Sequence, residues 1–235
     1  MASVPSRPQD LPYESPWVNR ADKYAAVFAA LPSHQAVVQA AALQAGAFYF
    51  MGHAPIADIG CGPGHLGETL LRNDVPAGQL HSFDPSSRMR ELAALRGMFA
   101  EPGSLTQIPL PDGVLGVAVS VHNLYLLSAA KQADAMAELA RVVRSGGRLV
   151  LVNSITPDLG PLVAEFRALV AAGRLNAKQI SNLEAWAAAV EASSSSFTFL
   201  PAHELADLVR LHFGPVRLIE PVYLGLSRLI VAVRR

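Results

Sequence analysis

Apolar positions along this chain follow two rhythms. Ala21, Tyr24, Ala25, Phe28 and Leu31 lie three and four residues apart, as on one face of a helix that starts near Trp17. Pro32 and Ser33 interrupt that pattern, and an alanine-rich stretch from about His34 to Ala47 predicts a second helix. Beyond it the rhythm changes to short apolar runs separated by turns: 56–59, 79–83, 98–104, 114–121 and 148–152. Helical stretches follow the first run, span Ser87 to about Arg96, and run from Ala129 to about Val143. The unbroken apolar character of Val114 to Val121 predicts a strand buried on both faces, as in a parallel sheet. Residues 157–196 break the alternation with two expected helices, 161–172 and 177–191, and the serine run Ser193 to Ser196. A helix at 202–211 and strands at 216–220 and 224–233 complete the pattern. The last two strands are too close for a crossover helix, so an antiparallel hairpin turning near Pro221 to Tyr223 is expected.

The fold class that follows is α/β: a doubly wound, Rossmann-like, seven-stranded and mostly parallel sheet closed by that hairpin. Four parts are expected: an amino-terminal arm and helical lid at 1–50, a binding core at 51–156, a helical insertion or cap at 157–196, and a helix with the hairpin at 197–235.

Charge changes the picture chiefly by exclusion. The 235 residues hold 19 Lys and Arg against 19 Asp and Glu, so no electrostatic footprint for nucleic acid or an anionic membrane is expected. Apolar residues make up 51% and charged residues 16%, yet no apolar run reaches the roughly 20 residues of a membrane span. The first 16 residues are rich in Pro and Ser, unlike a secretory signal. A single cysteine rules out an internal disulfide and a cysteine-rich zinc site. A cytoplasmic protein, monomeric or homodimeric, is expected.

The most informative stretch is Ile56-Ala57-Asp58-Ile59-Gly60-Cys61-Gly62-Pro63-Gly64-His65-Leu66. An apolar run ends near an acidic residue, three glycines alternate, and a helical pattern begins. Such a turn lets a ligand lie against the main chain and face the unpaired N–H groups of the next helix. A dinucleotide fingerprint, G-x-G-x-x-G, fits poorly: counted from Gly60 its third glycine falls on His65, and counted from Gly62 the turn starts two residues late.

Five segments in order resemble the class I S-adenosylmethionine-dependent methyltransferases, in particular their type 11-like, small-molecule branch. They are Asp58 to Gly64, Asp84 at the end of the second strand, Pro85-Ser86 with Met89, Pro109 to Gly113, and Arg141 to Leu149. The resemblance implies S-adenosylmethionine as cofactor and S-adenosylhomocysteine as product. It assigns the methionine part to the main chain around Asp58, Gly60, Cys61, Gly62 and Gly64. Asp84 would hold the two ribose hydroxyls, since one carboxylate accepts two hydrogen bonds. Pro85, Met89 and Leu105 would lie near adenine, with Ser104 where the family usually has Asp. Ser120 and Tyr24 are also expected at the cofactor, Tyr24 from a helix that folds over it. Gly116 stands where the family often has Asp, which implies a lost local hydrogen bond.

Transfer of an activated methyl requires alignment and exclusion of water more than covalent chemistry. The segment Ser120 to Tyr125 falls where the acceptor would meet the methyl. His122 is the candidate general base and Tyr125 the candidate acid or orienting group, while a hydrogen-bonded strand-end histidine and a core tyrosine would look the same in sequence. Trp17, His122, Asn123 and Tyr125 are the candidate acceptor contacts. No metal is expected, because no acidic cluster suits one. The expected activity is O-, N- or C-methylation of a small, partly apolar molecule, such as one of secondary metabolism. The alternatives are a cofactor-binding relative with other chemistry or with a regulatory, partner-activating role and, more remotely, a dinucleotide oxidoreductase.

Overall fold

The structure, a computed structural model, describes residues 21–52, 54–193 and 196–235. Two helices, α1 (Ala21–Phe28) and α2 (Pro32–Gly52), precede the sheet. Then come β1 (Ile56–Ile59), α3 (His65–Arg72), β2 (Leu80–Phe83), α4 (Ser87–Ala94), β3 (Ala100–Glu101), β4 (Leu115–Val121), α5 (Ala129–Val142) and β5 (Val143–Ser154). The chain continues through α6 (Gly160–Ala171), α7 (Ala177–Ser193), α8 (Ala202–His212), β6 (Val216–Val222) and β7 (Ser227–Val233). The seven strands form one sheet in the order β3-β2-β1-β4-β5-β7-β6. Strands β1 to β5 pair in parallel, and β7 runs antiparallel to both β5 and β6.

Both sheet faces are covered, which is why the central strands read as unbroken apolar runs. Val117 and Val119 of β4 and Val150 and Val152 of β5 face one core with α2, α6 and α7. Leu115, Ala118, Leu149 and Leu151 face the other with α5 and α8. On the first face Phe28 of α1 packs edge-on to Trp186 of α7, ring centroids 5.0 Å apart. Phe166, Leu169 and Leu183 are buried in the same cluster. Glu165 of α6 accepts hydrogen bonds from the backbone N–H (2.9 Å) and the hydroxyl of Ser33 at the start of α2. Arg88 of α4 reaches across to Asp22 of α1 with two bonds of 2.6 and 3.1 Å.

Several boundaries differ from expectation. The third strand, expected over 98–104, pairs only at Ala100 and Glu101: Met98 is buried as core, and Gly103 approaches Phe83 and Pro109 too closely for a Cβ to fit easily. The fifth strand starts at Val143 rather than Arg148, because Leu115 pairs with Val143 before a register shift. The hairpin turns at 223–225, where Tyr223 and Leu224 take φ of +52° and +57°.

Candidate active site

The strand order reverses where β1 sits between β2 and β4, so the carboxyl ends of these strands diverge and leave a crevice. A cavity of about 400 Å³ opens there. Its walls come from the glycine loop, the segment after β2, the turn after β3, the end of β4, and α1 and α2 through Tyr24, His34 and Val38.

The glycine loop is fixed by its neighbours. The N–H groups of Gly60 and Cys61 both donate to the carbonyl of Phe83 at 2.8 and 2.9 Å. Gly60 has φ +75°, and a Cβ there would sit 2.4 Å from the Asn123 amide, so only glycine fits. At Gly62, φ is +53° and a Cβ would meet nothing within 4 Å, because that position faces the cavity. The Gly62 N–H donates to Asp84 Oδ2 (2.9 Å) and the Ser86 N–H to Oδ1 (2.8 Å). The carboxylate thus ties the loop to the start of α4, and each oxygen keeps acceptor capacity for a ligand. Burial pushes Asp84 up to about 6, against the pull of the Ser86 and Gly62 donors and of Arg90. Burial also pushes Asp58 up to about 8, with Asp84 adding to it, and Asp58 Oδ2 is buried without a hydrogen bond among the described residues. Burial likewise raises the Cys61 thiol well above its ordinary range, so this side chain is an inert wall.

The next wall is apolar with polar edges. Ser86 caps α4 by accepting from the Met89 N–H (3.3 Å), which places Pro85 and Met89 beside the cavity. Leu105 faces it from the turn after β3, where the hydroxyls of Ser104 and Thr106 lie 3.2 Å apart. Lys131 on the first turn of α5 stands at the rim. Gly116 corrects the sequence reading. A Cβ there would lie 2.4 Å from the Cβ of Ala54, so no aspartate fits and no side-chain bond is missing. The Gly116 backbone N–H is satisfied by Pro55 (2.9 Å).

At the end of β4 His122 leaves the strand with φ +59°, a conformation costly for a non-glycine residue and characteristic of functional turns. Its Nε2 lies 3.0 Å from the hydroxyl of Ser227 on β7. Burial lowers its pKa to about 4, so the ring is neutral at pH 7. The Tyr125 hydroxyl is pushed up to about 12 by burial and stays protonated, and its ring stacks on Phe199 at 5.3 Å. Asn123 Nδ2 lies 3.0 to 3.2 Å from the carbonyls of Ile59, Gly60 and Val121 and from Ser120 Oγ. That amide is committed to holding the loop, which leaves its oxygen for an acceptor. Ser120, expected at the cofactor, is fully buried behind Asn123 and lies off the cavity wall. Tyr24 does line the cavity, while Trp17 lies outside the described residues.

The cavity also holds residues that no local sequence signal marked. His34 Nε2 lies 3.3 Å from His65 Nδ1, and the His34 ring is 6.4 Å from both His122 and Tyr223. Burial lowers the basicity of His34, helped by His122 and His65, and takes His65 down to about 4. This wall is therefore made of neutral imidazoles and phenols. Among the described residues no group of three or more His, Cys, Asp or Glu is arranged to hold a metal ion. No single described helix is long and apolar enough to cross a membrane.

Residues 57–151 match the family model described as a methyltransferase domain. An uncharacterised 37.1 kDa transposon protein of Streptomyces fradiae is 37% identical over 114 residues, 46% of this chain and 32% of that protein. An uncharacterised methyltransferase of Geobacillus thermodenitrificans is 26% identical over 107 residues, 44% of this chain and 48% of that protein. The match thus spans half or less of either relative. Among solved structures, the magnesium protoporphyrin IX methyltransferase of Synechocystis PCC 6803 with bound S-adenosylhomocysteine has a TM-score of 0.63. It is 14% identical, over 91% of this chain and 94% of that one, a likeness of fold. Residues 57–151 therefore match a methyltransferase domain, and the chain has the Rossmann-like fold of the class I methyltransferases.

Proposed function

We propose that this chain transfers a methyl group from S-adenosylmethionine to a small, partly apolar acceptor. The observation that carries the proposal is the tie between the glycine loop and Asp84, made through the Gly62 N–H at the floor of the switch-point cavity. The residues present fit the cofactor. The main chain from Gly60 to Gly64 and the unpaired Asp58 oxygen suit its amino-acid end, Asp84 its ribose, and Pro85, Met89 and Leu105 its adenine. Ser104 offers the adenine edge a neutral hydroxyl in place of a carboxylate. The structurally similar protoporphyrin methyltransferase was crystallised with the demethylated product, which supports the same cofactor here.

Bound there, S-adenosylmethionine supplies a methyl made electrophilic by its sulfonium. The chain's own residues do the rest. His122 receives the proton of an acceptor that must lose one, and the protonated Tyr125 hydroxyl orients the acceptor as a hydrogen-bond donor. Helices α1 and α2 act as the cap that excludes water through Tyr24, His34 and Val38, and Phe166 of α6 and Trp186 of α7 lie in the core that backs them. A wall of neutral rings, with Lys131 only at the rim, favours an uncharged acceptor over a phosphorylated one. The second reading, cofactor binding without transfer, draws on the weak basicity of His122.

Titration calorimetry tests the proposal. S-adenosylhomocysteine should bind, and Asp84→Ala should weaken it about 30-fold, the loss of charge-assisted hydrogen bonds worth about 2 kcal/mol. Radiolabelled methyl should then appear in a member of a panel of small phenols, amines and apolar alcohols. Heat with NADH and none with S-adenosylhomocysteine would reverse the assignment, and binding without any labelled product would favour the second reading.

A further inference from the structure

His122 faces a difficulty as a base. It keeps 9% of its surface open on the cavity it lines, and an imidazolium held there would be poorly hydrated. Burial reduces its basicity accordingly. A group that cannot hold a proton serves as a base only if the proton moves on.

The strands behind it supply a path. His122 Nε2 lies 3.0 Å from Ser227 Oγ, and Ser227 Oγ lies 3.4 Å from Ser154 Oγ. Ser227 is fully buried at the first position of β7, and Ser154 is half-buried at the last position of β5. The two are register partners at the end of a ladder whose inner pairs are aliphatic, from Leu149 with Ala232 to Val152 with Leu229. A buried hydroxyl is costly unless bonded, and among the described residues the Ser227 hydroxyl is bonded only to the imidazole and to Ser154. With Nε2 taken by Ser227, the ring nitrogen left for a ligand is Nδ1, which has no hydrogen bond among the described residues.

We propose that His122, Ser227 and Ser154 form a relay that carries the acceptor's proton out of the cavity while the imidazole stays neutral. The relay rests on the methyl-transfer reading of the site. In the starting state Nε2 bears the ring proton and donates it to Ser227, Ser227 donates to Ser154, and Nδ1 is bare. The acceptor's proton moves to Nδ1, and the electron pair it leaves behind forms the new bond to the methyl carbon as the methyl–sulfur bond breaks, that bond's pair staying on the sulfur of S-adenosylhomocysteine. The Nε2 proton passes to Ser227 Oγ, the Ser227 proton to Ser154 Oγ, and the Ser154 proton to solvent. One proton enters and one leaves. When product departs and water enters the cavity, the same shift in reverse restores the first tautomer. His122 touches the acceptor, whereas Ser227 and Ser154 act through it and are positioning residues.

Nitrogen-15 spectra of histidine-labelled protein saturated with S-adenosylhomocysteine test the relay, with His122→Gln assigning the signal. At pH 7 the native ring should carry its proton on Nε2 with Nδ1 bare, and Ser227→Ala should abolish that preference. With the acceptor found in the panel, Ser227→Ala and Ser154→Ala should each lower kcat by about 10- to 100-fold, within the range of general-base effects. KM and affinity for S-adenosylhomocysteine should stay within about twofold, since neither serine lines the cavity. Should Ser227→Ala fail to fold, Ser154→Ala at its half-buried position carries the kinetic arm. A native ring protonated on Nδ1, or serine variants with the native spectrum and rate, overturns the relay while methyl transfer stands. A native protein that binds no S-adenosylhomocysteine overturns the underlying reading of function.

Discussion

At the scale of single residues, the sequence names the right atoms for a different reason in several places. Asn123 reads as a polar group beside an acceptor, but its nitrogen braces the glycine loop from below. Gly116 reads as a missing aspartate, yet Ala54 occupies the space a side chain would need. Neither fact has a local signal, because each depends on a chain segment more than 60 residues away along the sequence or on backbone packed from another element. His122 allows a quantitative check. Its folded pKa of about 4 lies below the ordinary 6.5. Its contribution to stability is therefore full above 6.5 and is lost as pH falls toward 4. The buried carboxyls Asp58 and Asp84 shift upward and oppose this trend, so the whole-protein curve hides it. Comparison of variants isolates it. Between pH 7 and 4.5, His122→Gln should lose about 2 kcal/mol less stability than the native protein in urea unfolding.

At the scale of elements, the alternation of strand and helix was legible from Ile56 to Val152 because each central strand is buried on both faces and each helix on one. The glycine turn, the acidic end of β2 and the hairpin were legible too, since turn chemistry and short spacing are local. Strand lengths were less so. The third strand shrinks to two residues because Met98 is drawn into the core beneath α3, where a Cβ on Gly67 would lie 2.3 Å from its methyl. The helices of 157–196 were predicted as helices, but their spacing could not say what they bury. Trp186 is the clearest answer: it fits against Phe28 of α1 and keeps only 8% of its surface open. Trp186→Ala should destabilise the protein by about 3 kcal/mol through the cavity it leaves. Thermal unfolding measures this, and a change below about 1 kcal/mol would mean that α1 and α7 are not packed as described.

At the scale of the whole molecule, one sheet carries a rigid floor and a roof drawn from distant parts of the sequence. The floor is made by β1, β2 and β4, which lie in the middle of the sheet. Over the cavity stand α1 and α2, through Tyr24, His34 and Val38, while α6 and α7 supply none of its lining among the described residues and back them through Glu165 to Ser33 and Trp186 to Phe28. The roof's tie to the floor through Arg88 and Asp22 is exposed and therefore weak. Amide hydrogen exchange should accordingly be slowest in β4 and β5 and faster in α1 and α7. S-adenosylhomocysteine should slow exchange in α1 and around Gly60 to Gly64 by at least about tenfold, with little effect on β6. Equal protection of α1 with and without the ligand would separate the roof from the site.

The reversed direction of β7 has a consequence in time. A strand that runs against its neighbours begins where they end, so Ser227 reaches His122 from 105 residues further along the chain rather than from a nearby codon. During synthesis the amino-terminal helices and the first five strands emerge and begin to collapse before that serine exists outside the ribosome. A nascent chain halted before β7 would thus present the glycine loop but not the buried hydroxyl behind the imidazole. Cofactor capture and proton removal would switch on in that order as the chain lengthens.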